Sequence, residues 1–177
     1  PGAAARWWIH QSLQLLEGDL ARLGIALDVR SGDSRMLVAE AVREHEAAAV
    51  FWNRRYAPGE CVVDAEIKSS LHDAGIEAES CPGDVLAEPW TIATGQGKPY
   101  SVFTPFWNAL KGRHVDAPVG VPSGGEARPA RAVDERYRAP HWTEKFEGIW
   151  EIGEAAARRK LERFFDEALD GYVEDRD

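Results

Sequence analysis

The sequence predicts an α/β fold, an open parallel sheet with flanking helices. Three observations carry that expectation. Helical and strand-like hydrophobic periods alternate over the first 80 or so residues. Ala47 to Asn53 is a short, nearly continuous apolar run, as in a buried parallel strand. Glycines at positions 24 and 75 sit where helices would stop.

Taken in order, Ala3 to Leu23 is helical. Ile9, Leu13, Leu16, Leu20 and Leu23 recur at steps of four, three, four and three and so share one stripe. Ile25 to Arg30 alternates with period two and reads as a strand. Asp33 caps a second helix running to about His45. The strand at 47–53 follows, then a third helix over Glu60 to Ala74 and a strand at Ile76 to Ser80. An α/β unit begins with a strand, whereas this chain opens on a helix without an initiator methionine; a strand is therefore expected ahead of residue 1. Beyond Val85 the chain is aromatic and broken by Gly and Pro until a helix at Thr104 or Pro105. His114 to Pro140, with its prolines, Gly124-Gly125 and scattered arginines, reads as a linker. Glu154 to Leu169 is a charged amphipathic helix with Ala157, Leu161, Phe164, Phe165 and Ala168 on its apolar side.

Composition narrows the function. The 177 residues are 44% hydrophobic and 29% charged, which is ordinary for a globular chain. No window approaches the roughly 18 apolar residues of a membrane span. Twenty-one basic residues against 30 acidic give a net charge of −9. The acidity is even along the chain, so no basic arm advertises nucleic acid. Cys61 and Cys81 stand apart, with no histidine at metal spacing. They fit a reducing cytoplasm, the expected compartment, and the amino terminus shows no secretion signal.

Few motifs carry chemistry. Gly95-Gln96-Gly97 lacks the preceding strand and third glycine of a phosphate loop, and Pro99 follows Lys98. His10, beside Trp7 and Trp8, is a packing residue or a ligand contact. The segment Asn53 to Glu60 says more. It follows a buried strand, and ligands of open α/β sheets lie beyond the carboxyl ends of the strands. Arg54, Arg55, Tyr56, Gly59 and Glu60 suit a flat, polar heterocycle. They equally suit a solvated loop whose Glu60 favours a helix amino terminus.

Trp52-Asn53-Arg54-Arg55-Tyr56 with Asp64, Pro99 to Phe106 (PYSVFTPF) and the closing Tyr172-Val173-Glu174-Asp175-Arg176-Asp177 resemble the DNA photolyases and the related cryptochromes, in the family's order and spacing. The resemblance covers nearly all of the chain. It implies a Rossmann-like antenna-chromophore domain at 1–113, an interdomain linker at 114–140, and the beginning of the helical FAD-binding domain at 141–177. The family's opening strand, the helix and strand after it, and its Thr-Ser-x-Leu-Ser flavin segment are not in this sequence. The chain thus resembles an internal piece of such a protein.

By that resemblance, Tyr172 matches a tyrosine that contacts FAD, and Arg176 an arginine that contacts DNA near the lesion. Gly59 and Glu60 match the pair that binds a folate antenna, with glycine standing where the family has a side chain. The implied cofactors are FAD and an antenna chromophore, methenyltetrahydrofolate or a deazaflavin. The implied partner is UV-damaged DNA, and the implied state of the intact protein is a monomer. The implied activity is light-driven splitting of cyclobutane pyrimidine dimers, a deoxyribodipyrimidine photo-lyase reaction. A blue-light-receptor cryptochrome without repair is the alternative, and an unrelated α/β nucleotide-binding module is a third. The family's strand order sets the strand at 25–30 apart from those at 47–53 and 76–80. The 177-residue chain alone is therefore expected to be poorly stable and inactive. Thermal melts with near-ultraviolet circular dichroism should show no cooperative transition and no native-like signal.

Overall fold

The computed structural model describes residues 2–117, 119–134, 136–146 and 148–172. These fall into two compact units, one of residues 30–119 and one of residues 1–29 with 120–177.

In the 30–119 unit, α2 (Ser34–Glu44) follows Asp33, whose carboxylate accepts the Arg35 backbone N–H at 2.9 Å as an N-cap. Strand β1 (Ala49–Asn53), helix α3 (Pro58–Asp73) and strand β2 (Glu77–Cys81) form a β-α-β unit with parallel strands. The register pairs Ala49 with Glu77, Trp52 with Ser80 and Asn53 with Cys81. Helix α3 starts two residues before the expected Glu60 because Pro58 occupies its first turn, where a missing N–H costs nothing. At its end Gly75 takes φ +74°, and Ile76 N–H donates back to Leu71 O at 2.9 Å, a closure that favours glycine. A 3₁₀ turn (Pro89–Thr91) and α4 (Phe103–Leu110) complete the unit.

Ile67, Leu71 and Ala78 form its core, with Val38 and Val42 of α2, Val50 and Trp52 of β1, and Val63 and Ile76 packed around them. Both helices thus cover one sheet face. Phe51, pointing the other way, is 58% exposed. The apolar run at 47–53 is therefore a half-buried strand rather than one covered on both faces.

The other unit is built on α1 (Ala3–Arg22), with a 3₁₀ segment (His141–Phe146) and α5 (Glu154–Glu167). The leucine stripe of α1 is covered only in part: Ile9 and Leu16 are 48% and 41% exposed, while Leu13, Leu20 and Leu23 are partly buried. The covered stripe runs through Trp7, His10, Gln14, Glu17 and Ala21, also at steps of three and four. Its polar members hold Arg128, Arg131, Val133 and Tyr137. Gln14 donates to Arg131 O (2.8 Å) and accepts from Val133 N–H (3.0 Å), reading the backbone of an extended segment with both ends of its amide. Glu17 accepts from Arg131 N–H (3.1 Å) and Leu27 N–H (3.2 Å), and its carboxylate lies 2.8 Å from the Arg128 guanidinium. Arg128 N–H donates to Ala21 O at 2.9 Å, and His10 stacks on Tyr137 with ring centroids 3.9 Å apart. Glu17 is 2% exposed, and the Arg128 guanidinium holds its carboxyl below the usual range.

Residues 25–30, expected as a strand, form none. Their polar groups are taken by side chains instead: Arg128 donates to Ile25 O at 2.6 and 2.9 Å, and Glu17 holds Leu27 N–H. Among the described residues of 114–140 there is no helix or strand. Its stretch near 125–133 nevertheless lies hydrogen-bonded along α1. Gly24 serves this contact twice: its φ is +75°, and a Cβ there would sit 2.7 Å from Glu126 O. On α5 the buried residue is Ala156, whereas Leu161 and Phe165 of the expected apolar side are exposed.

Two outcomes follow from this packing. In the intact protein, Leu71→Ala should lower stability by about 2–4 kcal/mol, read as a fall in the urea midpoint. Glu17→Ala leaves Arg128 without its buried counter-charge and frees Arg131 N–H, so trypsin should cut after Arg131, which Ala132 follows, roughly tenfold faster or more.

Candidate functional site

The carboxyl ends of β1 and β2 open into a cleft of about 380 Å³, in the size range of small-molecule pockets. Three pieces of chain build it. From β1 and the residues after it come Trp52, Arg54, Arg55 and Tyr56; from α3 come Cys61, Asp64, Ala65 and Lys68; Ser80, Pro89 and Trp90 close the far side. The α3 members are spaced i, i+3, i+4, i+7, so one helix face lines the cleft.

Arg54 is its hub. Its backbone N–H donates to Cys81 O at 2.9 Å, extending the ladder past the last strand pair. Its guanidinium donates to Ser80 O (2.7 Å) and Ser80 Oγ (3.3 Å) and pairs with Glu88. The same guanidinium lies 5.2 Å from the Trp90 ring centroid, a cation–π distance. Tyr56 donates its hydroxyl to the other oxygen of Glu88 at 3.0 Å. Burial, then the Glu88 bond, pushes the Tyr56 phenol up, so it stays protonated as a donor.

Arg55 turns the other way. It forks onto Asp64, with Nη2–Oδ1 at 2.5 Å and Nε–Oδ1 at 3.1 Å. That hydrogen bond is the main reason the Asp64 carboxyl sits below its ordinary 3.8. The nearby Trp52 indole N–H also favours the charged carboxylate, yet among the described residues no acceptor, Asp64 included, lies in hydrogen-bonding geometry to it. Lys68 brings a further cation to the cleft. Trp90 is 63% exposed. The cleft therefore combines open aromatic surface, fixed dipoles and positive charge, which suits a planar heteroaromatic ligand with an anionic group.

The sequence-predicted residues are distributed as follows. Glu60 lies in the first turn of α3, 3.7 Å from Arg55 Nη1 and half exposed. Gly59 precedes it, with open space where a Cβ would stand. Neither lines the cleft described above. Tyr172 belongs to the other unit, where its ring meets Phe164 edge-on at 5.6 Å. Arg176 lies outside the described residues. His10 packs on Tyr137, one of the two roles open to it. Glu88, Trp90, Ser80 and Lys68 were not found from sequence. The helical spacing of 61, 64, 65 and 68 was a usable signal for Lys68, whereas pairing of Glu88 with Arg54, 34 residues apart, has none.

A model of the DNA photolyase family matches residues 1–123. The chain belongs to the DNA photolyase family. It is 38% identical to the deoxyribodipyrimidine photo-lyase of Agrobacterium fabrum over 99% of this chain and 38% of that protein. It is 32% identical to cryptochrome-2 of Arabidopsis thaliana over 76% of this chain and 22% of that protein. Among solved structures, a bacterial class III photolyase from Agrobacterium tumefaciens matches with a TM-score of 0.84 and 36% identity, over 98% of this chain and 38% of the other. This photolyase-family chain thus spans well under half the length of these relatives. The α/β fold with a small parallel sheet and flanking helices agrees with that match. Among the described residues no helix is long and apolar enough to cross a membrane.

The Arg55–Asp64 pair gives a pH signature. Asp64 is lowered in the folded chain, so the pair's contribution is full above the ordinary 3.8 and is lost as pH falls below it. Asp64→Asn should lower the thermal midpoint at pH 7 and flatten the stability profile below pH 4. Paired melts of the two proteins across that range measure it.

Proposed function

We propose that the intact protein is a light-dependent DNA repair enzyme that splits cyclobutane pyrimidine dimers, and that this chain contributes its antenna part. The observation that carries the proposal is the cleft at the strand ends, set in a chain that resembles photolyases along almost its whole length. Under this reading residues 1–113 are the antenna domain, 114–140 the linker and 141–177 the start of the helical FAD domain. The protein works in the cytoplasm, as a monomer, on UV-damaged DNA.

The antenna chromophore, methenyltetrahydrofolate or a deazaflavin, is held in or beside the cleft. The open face of Trp90 offers stacking, Lys68 offers positive charge to an anionic tail, and Gly59 and Glu60 border the same loop. A flat ring with a charged tail fits these groups. The cleft's own hydrogen bonds keep Arg54, Tyr56 and Glu88 in place before any ligand arrives, which lowers the ordering cost of binding. A reduced FAD held elsewhere in the intact protein would supply the light-driven electron-transfer chemistry for a dimer flipped out of the duplex, the electron returning once the dimer has split. Tyr172 contacts the flavin and Arg176 the DNA in this proposal.

A cryptochrome-type receptor without repair is the second reading, favoured by the 32% identity to cryptochrome-2 over 76% of the chain. Incubating the intact protein with a thymine-dimer oligonucleotide separates the two. Repair under near-ultraviolet or blue light and none in darkness is the expected result. Bound, reducible flavin without repair would instead favour the receptor.

A further inference from the structure

Trp90 is held by unusual means. It sits in a 3₁₀ turn of only three residues, Pro89–Thr91, which makes little regular hydrogen bonding of its own. Its indole is mostly exposed and meets the Arg54 guanidinium on its face and the Tyr56 ring at 6.3 Å between centroids, so little apolar packing holds it. Ile92 is buried and anchors the chain after the turn, leaving the turn's rotation to be set by polar contacts. At one end these are Arg54 and Tyr56 on Glu88. At the other end stands Arg113, 22 residues further on and just past α4. Its Nη1 donates to Thr91 O at 2.9 Å and to Thr91 Oγ1 at 2.7 Å. Thr91 Oγ1 in turn donates to Glu88 O at 2.8 Å, closing the turn upon itself.

We infer that Arg113 is a positioning residue: by clasping both oxygens of Thr91 it fixes the turn that presents Trp90, and so sets the stacking wall of the cleft. The inference rests on the reading of this cleft as the chromophore site. The chemistry supports a specific role for the guanidinium. Two acceptors on one residue, one carbonyl and one hydroxyl, are met by a single charged donor group whose other hydrogen bonds, among the described residues, are not spent elsewhere. Both bonds leave one nitrogen, Nη1, whose two N–H directions are fixed in the guanidinium plane, whereas those of an ammonium rotate freely. Arg113 touches no part of the cleft itself, so its effect passes through Trp90.

The test is a double-mutant cycle in the intact protein, with methenyltetrahydrofolate and then a deazaflavin as probes titrated by absorbance. Arg113→Ala should speed hydrogen exchange at Thr91 N–H about tenfold while the Val50 and Trp52 amides of β1 keep their protection, showing that the fold persists. It should also weaken probe binding about five- to twentyfold. Trp90→Ala should weaken binding at least as much, and the double variant should lose no more than Trp90→Ala alone. Arg113→Lys should restore only part of the affinity. Additive losses, or an Arg113→Ala protein with unchanged Thr91 exchange and unchanged affinity, overturn the inference. If neither probe binds the wild type, or Trp90→Ala binds as the wild type does, the chromophore reading of the cleft fails, and exchange at Thr91 decides alone whether Arg113 holds the turn.

Discussion

The cleft depends on what Arg54 does at the end of a two-stranded sheet. A parallel pair of five-residue strands is a weak structure, and its last carbonyls have no neighbouring strand among the described residues. Arg54 meets that deficit with its backbone N–H on Cys81 O and its guanidinium on Ser80. The same group then draws Glu88 across, and Glu88 brings the turn that bears Trp90. One side chain thus closes the sheet and builds the far wall of the site. Removing it would leave Glu88 charged and half-buried with only the Tyr56 hydroxyl.

The second unit is organised by different physics. Its central helix covers its leucines only in part within the unit; it buries a row of polar side chains that bind main chain. Such burial is tolerable because the groups are satisfied in full: Gln14 uses both ends of its amide, and both oxygens of Glu17 are engaged. The charge of Glu17 is met by Arg128, so this buried carboxylate is a paired ion.

Much of the fold was legible because it is local. The Asp33 cap, the Gly24 and Gly75 stops and the alternation of apolar periods placed α1, α2, α3, β1 and β2 within two or three residues of their bounds. What escaped was long-range. Residues 25–30 alternate as a strand does, yet strand formation needs a partner, and side chains from residues 17 and 128 satisfied that backbone instead. The leucine stripe of α1 did not disclose the polar row beside it for the same reason, since a hydrophobic period states which face is apolar and not what meets it. In the site, the loop after β1 was readable from the rule that ligands sit beyond strand ends. Glu88 and Trp90, in a Gly- and Pro-broken stretch, were not.

The ladder on α1 has a consequence for how this segment tolerates change over generations. Gln14 and Glu17 grip carbonyls and amides, groups that every residue but proline carries in full. Positions such as Ala130 and Ala132 can therefore drift in identity while the path of the chain stays the same. The exceptions are set by space and charge: Gly124, where a Cβ would meet Leu23 Cα at 2.6 Å, and Arg128, whose guanidinium no other side chain replaces. A stretch that looks like low-information spacer is thus constrained in its course and almost unconstrained in its letters.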